Sequence, residues 1–328
     1  MTKILEYRLE YVDMAKGLAM IGVFFGHHLV LSDYFTKWFW SWHIPIFFFV
    51  TGLCSQKLFI NNTKKTFIDG IKNIFLPYAV TMILLSICIV VVTHGSYIDL
   101  LYRLFDDLLY KETPLWFMMA LFWGRIIISC FVCCNIEKQL LIYIILFLLG
   151  WIIGSYLNNK NIYIPLSLMK GLMAPVFIIS GKIIREIYES INMWFFDKNR
   201  GGTILFLCMI TILLFGNQVS INFFYFDFPL GLINVVTSCF LCIVVLHICN
   251  IIFRVNHKMA IPIKKFLSYI GKYSLFILCA HTLELQLRIH RFLSKCDYVF
   301  IVIFLLILVS ITLFKRIPIV NSIYKLKD

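Results

Sequence analysis

Charge is what this chain has least of. Asp, Glu, Lys and Arg together make 14% of its 328 residues, against roughly a quarter in an ordinary soluble domain. With 61% hydrophobic residues and a mean hydropathy of +0.89, a soluble globular protein is excluded, and so is a disordered chain, which needs low hydrophobicity. Acidic residues are scarcer still, 17 against 30 basic ones, for a net charge of +13. That excess does not gather on a solvated face, as nucleic-acid binding would require. Neither a Walker A sequence nor a Rossmann glycine pattern occurs, so ATP hydrolysis and dinucleotide chemistry have no support. Internal repeats, low-complexity tracts and long linkers are missing too. The first sixteen residues carry Glu6, Arg8, Glu10, Asp13 and Lys16 with no short apolar segment and cleavage site after them, so no cleavable signal is expected.

Cysteine is present in number, eleven residues, but not in the setting that would give it a framework role. Cys88, Cys208, Cys239, Cys242 and Cys279 lie inside apolar runs, where the thiol behaves as a small hydrophobe. Cys130, Cys133 and Cys134, and separately Cys239 and Cys242, have CxxC spacing, yet no polar loop surrounds either group to make a metal or redox site, and no metal is expected.

The long apolar runs remain. A bilayer core about 30 Å thick needs about 20 apolar residues per helix. Ten runs approach that length, at 12–32, 38–58, 73–93, 114–134, 140–157, 163–183, 203–219, 228–249, 266–287 and 298–314. The expected fold is all-α: one polytopic transmembrane helix bundle of about ten spans, residues 1–328 forming a single integral-membrane domain. Orientation follows from basic residues, which cytoplasmic loops retain. With the N-terminus inside, nineteen Lys and Arg fall in inner segments and seven in outer ones, the other four lying within or at the ends of spans. Both termini are thus expected in the cytoplasm, and the basic balance needs no nucleic acid to explain it.

Ionisable residues inside a bilayer cost about 2.5 kcal/mol or more each and usually mark function. The first span carries Asp13, Lys16, His27 and His28. At 100° per residue, Lys16 and His27 lie within about 20° of one face, Asp13 about 60° from Lys16, and His28 about 100° from His27. Asp13 can pair with Lys16 across one turn, and the stripe of Asp13, Lys16 and His27 can otherwise be a pair plus a structural histidine. His43, two residues before Pro45 in the next hairpin, comes to the depth of His27. Two imidazoles at one level can serve as base, proton shuttle or donor. His281 lies in the outer half of a late span, with Glu284 one turn on. A helix-to-helix hydrogen bond is the ordinary use of such a histidine, and a surface pair with Arg288 the ordinary use of Glu284. Trp116 and Phe117 open the fourth span, where interfacial aromatics are common. Lys64, Lys65 and Lys72 precede Pro77 and Tyr78 on the inner side; they serve as topology signals, and a lysine there can also hold a phosphate as a point charge.

Taken together these pieces resemble acyltransferase family 3, membrane acyltransferases that include polysaccharide O-acetylases and fucose 4-O-acetylase-like proteins. The resemblance rests on DMAKGLAMIGVFFGHHL, with Asp13, Lys16, Gly17 and His27 in the opening pattern of Asp, a basic residue and Gly, then a histidine separated from the basic residue by ten intervening positions. It continues through WHIPIFFFVTG, ending at Thr51 and Gly52, then KNIFLPY, PLWFM and IGKYSLFILCAH. Five pieces in the right order are specific, and they cover most of the chain.

The resemblance implies transfer of an acyl group, usually acetyl, from cytoplasmic acyl-CoA to a hydroxyl of a cell-envelope or exported glycan, at a bacterial cytoplasmic membrane. By it, His27 is the essential histidine, supported by Asp13 and Lys16, with His43 or His281 orienting it or donating to the oxyanion. A transient acyl-histidine is a second route. Lys72, with Lys65 and Tyr78, would meet the acetyl-CoA donor, and Trp116 and Glu284 the acceptor. Lysine stands where arginine is common at positions 16 and 72, which removes bidentate phosphate recognition there. No extracytoplasmic hydrolase-like domain of the kind some members carry is expected. O-succinyl transfer remains open within the enzyme class. Outside it, a glycan flippase or solute carrier also fits a ten-helix bundle with internal charges, although no inverted repeat is found.

Overall fold

The computed structural model describes residues 10–28, 38–60, 62–110, 113–190, 220–255, 257–287 and 299–326. The expected span 203–219, the side chain of His28, and Arg288 lie outside them. The described residues are helical throughout apart from connections, one isolated two-residue bridge and no strand.

The first helix, α1 (Glu10–His28), is the central one. Val12, Met14, Ala15, Ala19, Met20, Val23 and Phe24 are all buried. A turn at 41–44 precedes α2 (Pro45–Cys54), which opens on Pro45, a residue suited to a first helical turn, and is buried along most of its length. Next, α3 (Thr63–Gly70) runs through a π-helical turn at Ile71–Phe75 into α4 (Leu76–Val92). The span expected at 73–93 therefore begins ten residues earlier, at Thr63, and Lys64, Lys65 and Lys72 stand on the helix instead of ahead of it.

The connection after α4, expected as an outer loop, holds a further helix, α5 (Tyr97–Leu109). A capping box starts it: Ser96 accepts from the Asp99 amide, and Asp99 accepts from the Ser96 amide at 2.7 Å. Ser86 of α4 donates to the buried Asp107 at 2.9 Å and Tyr78 donates to the Leu108 carbonyl at 2.8 Å, so the end of α5 is tied to the body of α4. Then come α6 (Trp116–Phe131), α7 (Ile136–Asn159), α8 (Leu168–Ser190) and α9 (Leu232–Arg254). The span expected at 266–287 is two helices, α10 (Ala260–Lys272) and α11 (Ser274–Gln286), bent by 72° at Tyr273. The last pair, α12 (Val299–Phe314) and α13 (Pro318–Tyr324), is bent by 118°.

Among the described residues, four helical stretches are long and apolar enough to cross a membrane, Thr63–Val92, Ile136–Asn159, Pro165–Ile187 and Leu232–Arg254, and up to six if each bent pair counts as one. The chain is an integral-membrane helix bundle. Among lipid tails, helices associate by close packing and not by hydrophobic expulsion, so small residues mark the contacts. Two crossings use them reciprocally. A Cβ on Gly17 would overlap the Leu267 carbonyl of α10, and a Cβ on Gly271 would overlap the Asp13 carbonyl of α1. Likewise a Cβ on Gly52 would overlap the Ile178 carbonyl of α8, and one on Gly181 the Phe49 carbonyl of α2. At each crossing the two backbones touch, which locks α1 to α10 and α2 to α8.

Gly271→Ala should therefore destabilise the bundle by about 1–3 kcal/mol, the range for overpacking. Gly26→Ala, whose nearest neighbour is Trp40 Nε1 at 3.8 Å, should leave stability unchanged. Thermal midpoints of the monodisperse protein in nanodiscs compare the two; equal midpoints would refute the backbone-contact account.

Candidate active site

At the end of α1 that holds His27, the bundle lines a half-open cavity of about 350 Å³. His27 enters it from α1, His43 from the turn before α2, and Trp116 from the start of α6. The 72° bend at Tyr273 turns α11 so that His281 lies behind His27, ring centroids 5.4 Å apart, while Phe24 packs on His281 at 4.7 Å. Leu285 and Gln286, one turn beyond His281, reach the cavity wall.

Glu284 is not the surface residue that pairing with Arg288 would make it. It is 3% exposed, and its Oε2 lies 3.3 Å from His281 Nδ1, with His281 itself wholly buried. The physical reason is the bend: it turns this face of α11 into the bundle. The buried carboxylate therefore lies directly against the buried imidazole. Glu284, His281 and His27 thus form a series running from the interior toward the cavity. His43 is oriented separately, its Nδ1 lying 3.0 Å from the Phe39 carbonyl and its ring 5.5 Å from that of Phe39.

Asp13 and Lys16 occupy the other end of α1. Lys16 Nζ lies 2.6 Å from Asp13 Oδ1 with the carboxylate buried, the one-turn pair that the spacing suggests. Eleven residues at 1.5 Å each put Lys16 about 16 Å from His27 along the axis, so a shared helical face does not bring them into contact. Near them are residues that sequence reasoning passed over. Arg185 of α8 is buried and donates from Nη1 to the Leu53 carbonyl at 3.4 Å. The charges of Lys16, Asp13 and Arg185 all bear on Cys54. One basic residue in a loop had looked like a topology signal; the Gly52–Gly181 crossing makes it an interior one.

Lys65 and Lys72 are exposed. Tyr78 is buried, its hydroxyl hydrogen-bonded to Leu108, an arrangement that holds α5 against α4.

The cavity's remaining wall comes from the segment before α9. Ile221, Asn222, Phe223, Phe224 and Tyr225 all line it. Phe223 stacks on Trp116 at 5.9 Å and 28° between planes. The signal was available in Asn-Phe-Phe-Tyr-Phe-Asp, a dense aromatic run bracketed by polar residues between two apolar stretches, but nothing in its spacing said which helix it would face. The site therefore has two ends: imidazoles and aromatic rings around a cavity, and a basic group about three turns away.

Residues 9–315 match the family model of acyltransferase family 3, described as an acyltransferase domain. The chain belongs to that family. It is an acyltransferase, and its apolar helices make it an integral-membrane one. No curated protein and no solved structure matches it.

Removing Lys16 takes away the cation 2.6 Å from the buried Asp13 carboxylate. Lys16→Met should lower stability by about 1–3 kcal/mol, and the double change Asp13→Asn with Lys16→Met should cost less than Lys16→Met alone, because a buried pair is damaged most by losing one partner. A double change that costs as much as the two single ones added together, in a thermal melt, would show the two residues to be independent.

Proposed function

We propose that the protein is an O-acyltransferase that moves acetyl from cytoplasmic acetyl-CoA to a hydroxyl of a cell-envelope or exported glycan. The observation that carries this reading is the imidazole of His27 at a cavity wall, backed by His281 and Glu284, with aromatic rings opposite and a basic group about three turns away. His27 takes the proton of the acceptor hydroxyl as its oxygen attacks the thioester carbonyl. The C–S bond of the tetrahedral intermediate then breaks, CoA leaves as thiolate, and the ester remains on the sugar. His43 lines the same cavity with its Nδ1 proton held on the Phe39 carbonyl, which leaves Nε2 as a hydrogen-bond acceptor for the acceptor sugar. Glu284 lies against His281, and His281 packs behind His27.

Lys16, Arg185 and the exposed Lys72 supply positive charge for the phosphates of CoA, while the pantetheine arm covers the distance to His27. A cavity of about 350 Å³ is at the small end of ligand pockets and suits one sugar ring at a time, stacked on Trp116, Phe223 or Tyr225 with Asn222 and Gln286 as hydrogen-bonding groups. In this reading the chain crosses the bacterial cytoplasmic membrane about ten times, with both termini inside, and succinyl is the acyl group that a variant donor pocket would accept.

Two measurements on the protein in nanodiscs test it. Titration calorimetry should give saturable acetyl-CoA binding that weakens in Lys72→Ala, with free CoA as the control; folded protein that binds neither acetyl-, succinyl- nor free CoA would overturn the reading. His27→Ala should keep that binding and lose about 10²–10⁴ in kcat, the usual contribution of a general base. Full activity in His27→Ala would remove the histidine from the chemistry.

A further inference from the structure

Lys170, at the start of α8, has no part in the steps above. It is 1% exposed, and its ammonium lies 5.4 Å from the ring centroid of Trp116, 4.9 Å from Phe224 and 5.1 Å from Phe226. Cations over aromatic faces are held most strongly where water is excluded. The three rings come from two places: Trp116 begins α6, and Phe224 and Phe226 belong to the turn 222–227.

That turn is built to keep one shape. The Asn222 and Asp227 amides donate to each other's carbonyls at 2.8 and 2.9 Å, and Asn222 Oδ1 accepts from the Phe224 amide at 3.0 Å. Phe226 sits at φ +55°, and beside the lysine Leu166 and Ser167 sit at +53° and +51°. Residues with side chains keep this left-handed backbone only where their surroundings hold it, and such positions cluster at sites of function. One side of the turn meets Lys170. The other side presents Phe223, Phe224 and Tyr225 to the cavity that His27 and His43 enter.

We propose that Lys170 is a positioning residue for the acceptor: its ammonium clamps Trp116, Phe224 and Phe226, and so fixes the aromatic turn 222–227 as the wall against which a sugar ring binds. The role of that wall rests on the transferase reading above, whereas the clamp itself does not. Lys170→Met keeps nearly the same length and apolar stem but removes the cation. Lys170→Arg keeps it.

Hydrogen exchange read by mass spectrometry on the nanodisc protein decides the clamp. In Lys170→Met the Asn222 and Asp227 amides should exchange about 30-fold faster, the loss expected for a desolvated cation–π contact, with α1 and α10 unchanged and Lys170→Arg close to wild type. Unaltered exchange at the turn overturns the proposal; so does faster exchange throughout the chain, which would make Lys170 a general stabiliser. Kinetics with methyl glycopyranosides as acceptors decide the side of the site. Lys170→Met should raise the acceptor KM about tenfold with the acetyl-CoA KM unchanged, and an equal rise in both would overturn the acceptor role. A wild-type protein that transfers no acetyl group counts against the proposed function alone, since the exchange result still decides the clamp.

Discussion

Backbone lies against backbone where Gly17 meets Gly271, and the rest of the site depends on that contact. Neither glycine could carry a side chain without meeting the other helix's carbonyl. The crossing fixes α10 on α1, and one residue past its end the chain bends by 72°. Beyond the bend, His281 of α11 packs behind His27. The second crossing, Gly52 on Gly181, does the same service at the other end, setting α2 against α8 and drawing Arg185 toward Leu53, Cys54 and the Asp13–Lys16 pair.

These two crossings separate the polar groups into two sets that answer different electrostatic needs. An ionised group in an apolar bundle is tolerated when a partner shares its surroundings. The Asp13–Lys16 pair meets that condition within one helix, and the His281–Glu284 pair meets it within another. Lys170 meets it differently, among the faces of three aromatic rings. Each device keeps charge or potential charge inside without opening the bundle to water.

The two sets also fit the unequal chemistry of the two substrates an acyltransferase joins. In the transferase reading a polyanionic donor calls for point charges that need not be rigid, and at the charged end Lys16 is partly exposed while Arg185 is buried. In the same reading an acceptor hydroxyl calls for an oriented base and a fixed surface, and at the histidine end His27 is exposed to the cavity with buried His281 behind it and a hydrogen-bonded turn in the wall.

Length and hydropathy were enough to read an all-helical membrane protein, because burying a helix in lipid demands about 20 apolar residues whatever its neighbours are. Local spacing was enough to read the Asp13–Lys16 pair, since groups one turn apart on one helix meet without help from the rest of the chain. The ordered fragments, from Gly17 and His27 through Thr51 and Gly52 to Gly271 and His281, were enough to read the family. Hydropathy gave no sign of the bend at Tyr273, because a broken helix and a straight one have the same apolar content. For the same reason Glu284 looked like half of a surface pair. The helix Tyr97–Leu109 was hidden in an expected loop because Asp99, Arg103, Asp106 and Asp107 break the apolar run that marks a span. Arg185, Lys170 and the aromatic turn became parts of the site only through packing. Composition tells a chain which solvent to seek, but which side chains face one another depends on where helices cross and bend, and contacts between residues distant in sequence decide that.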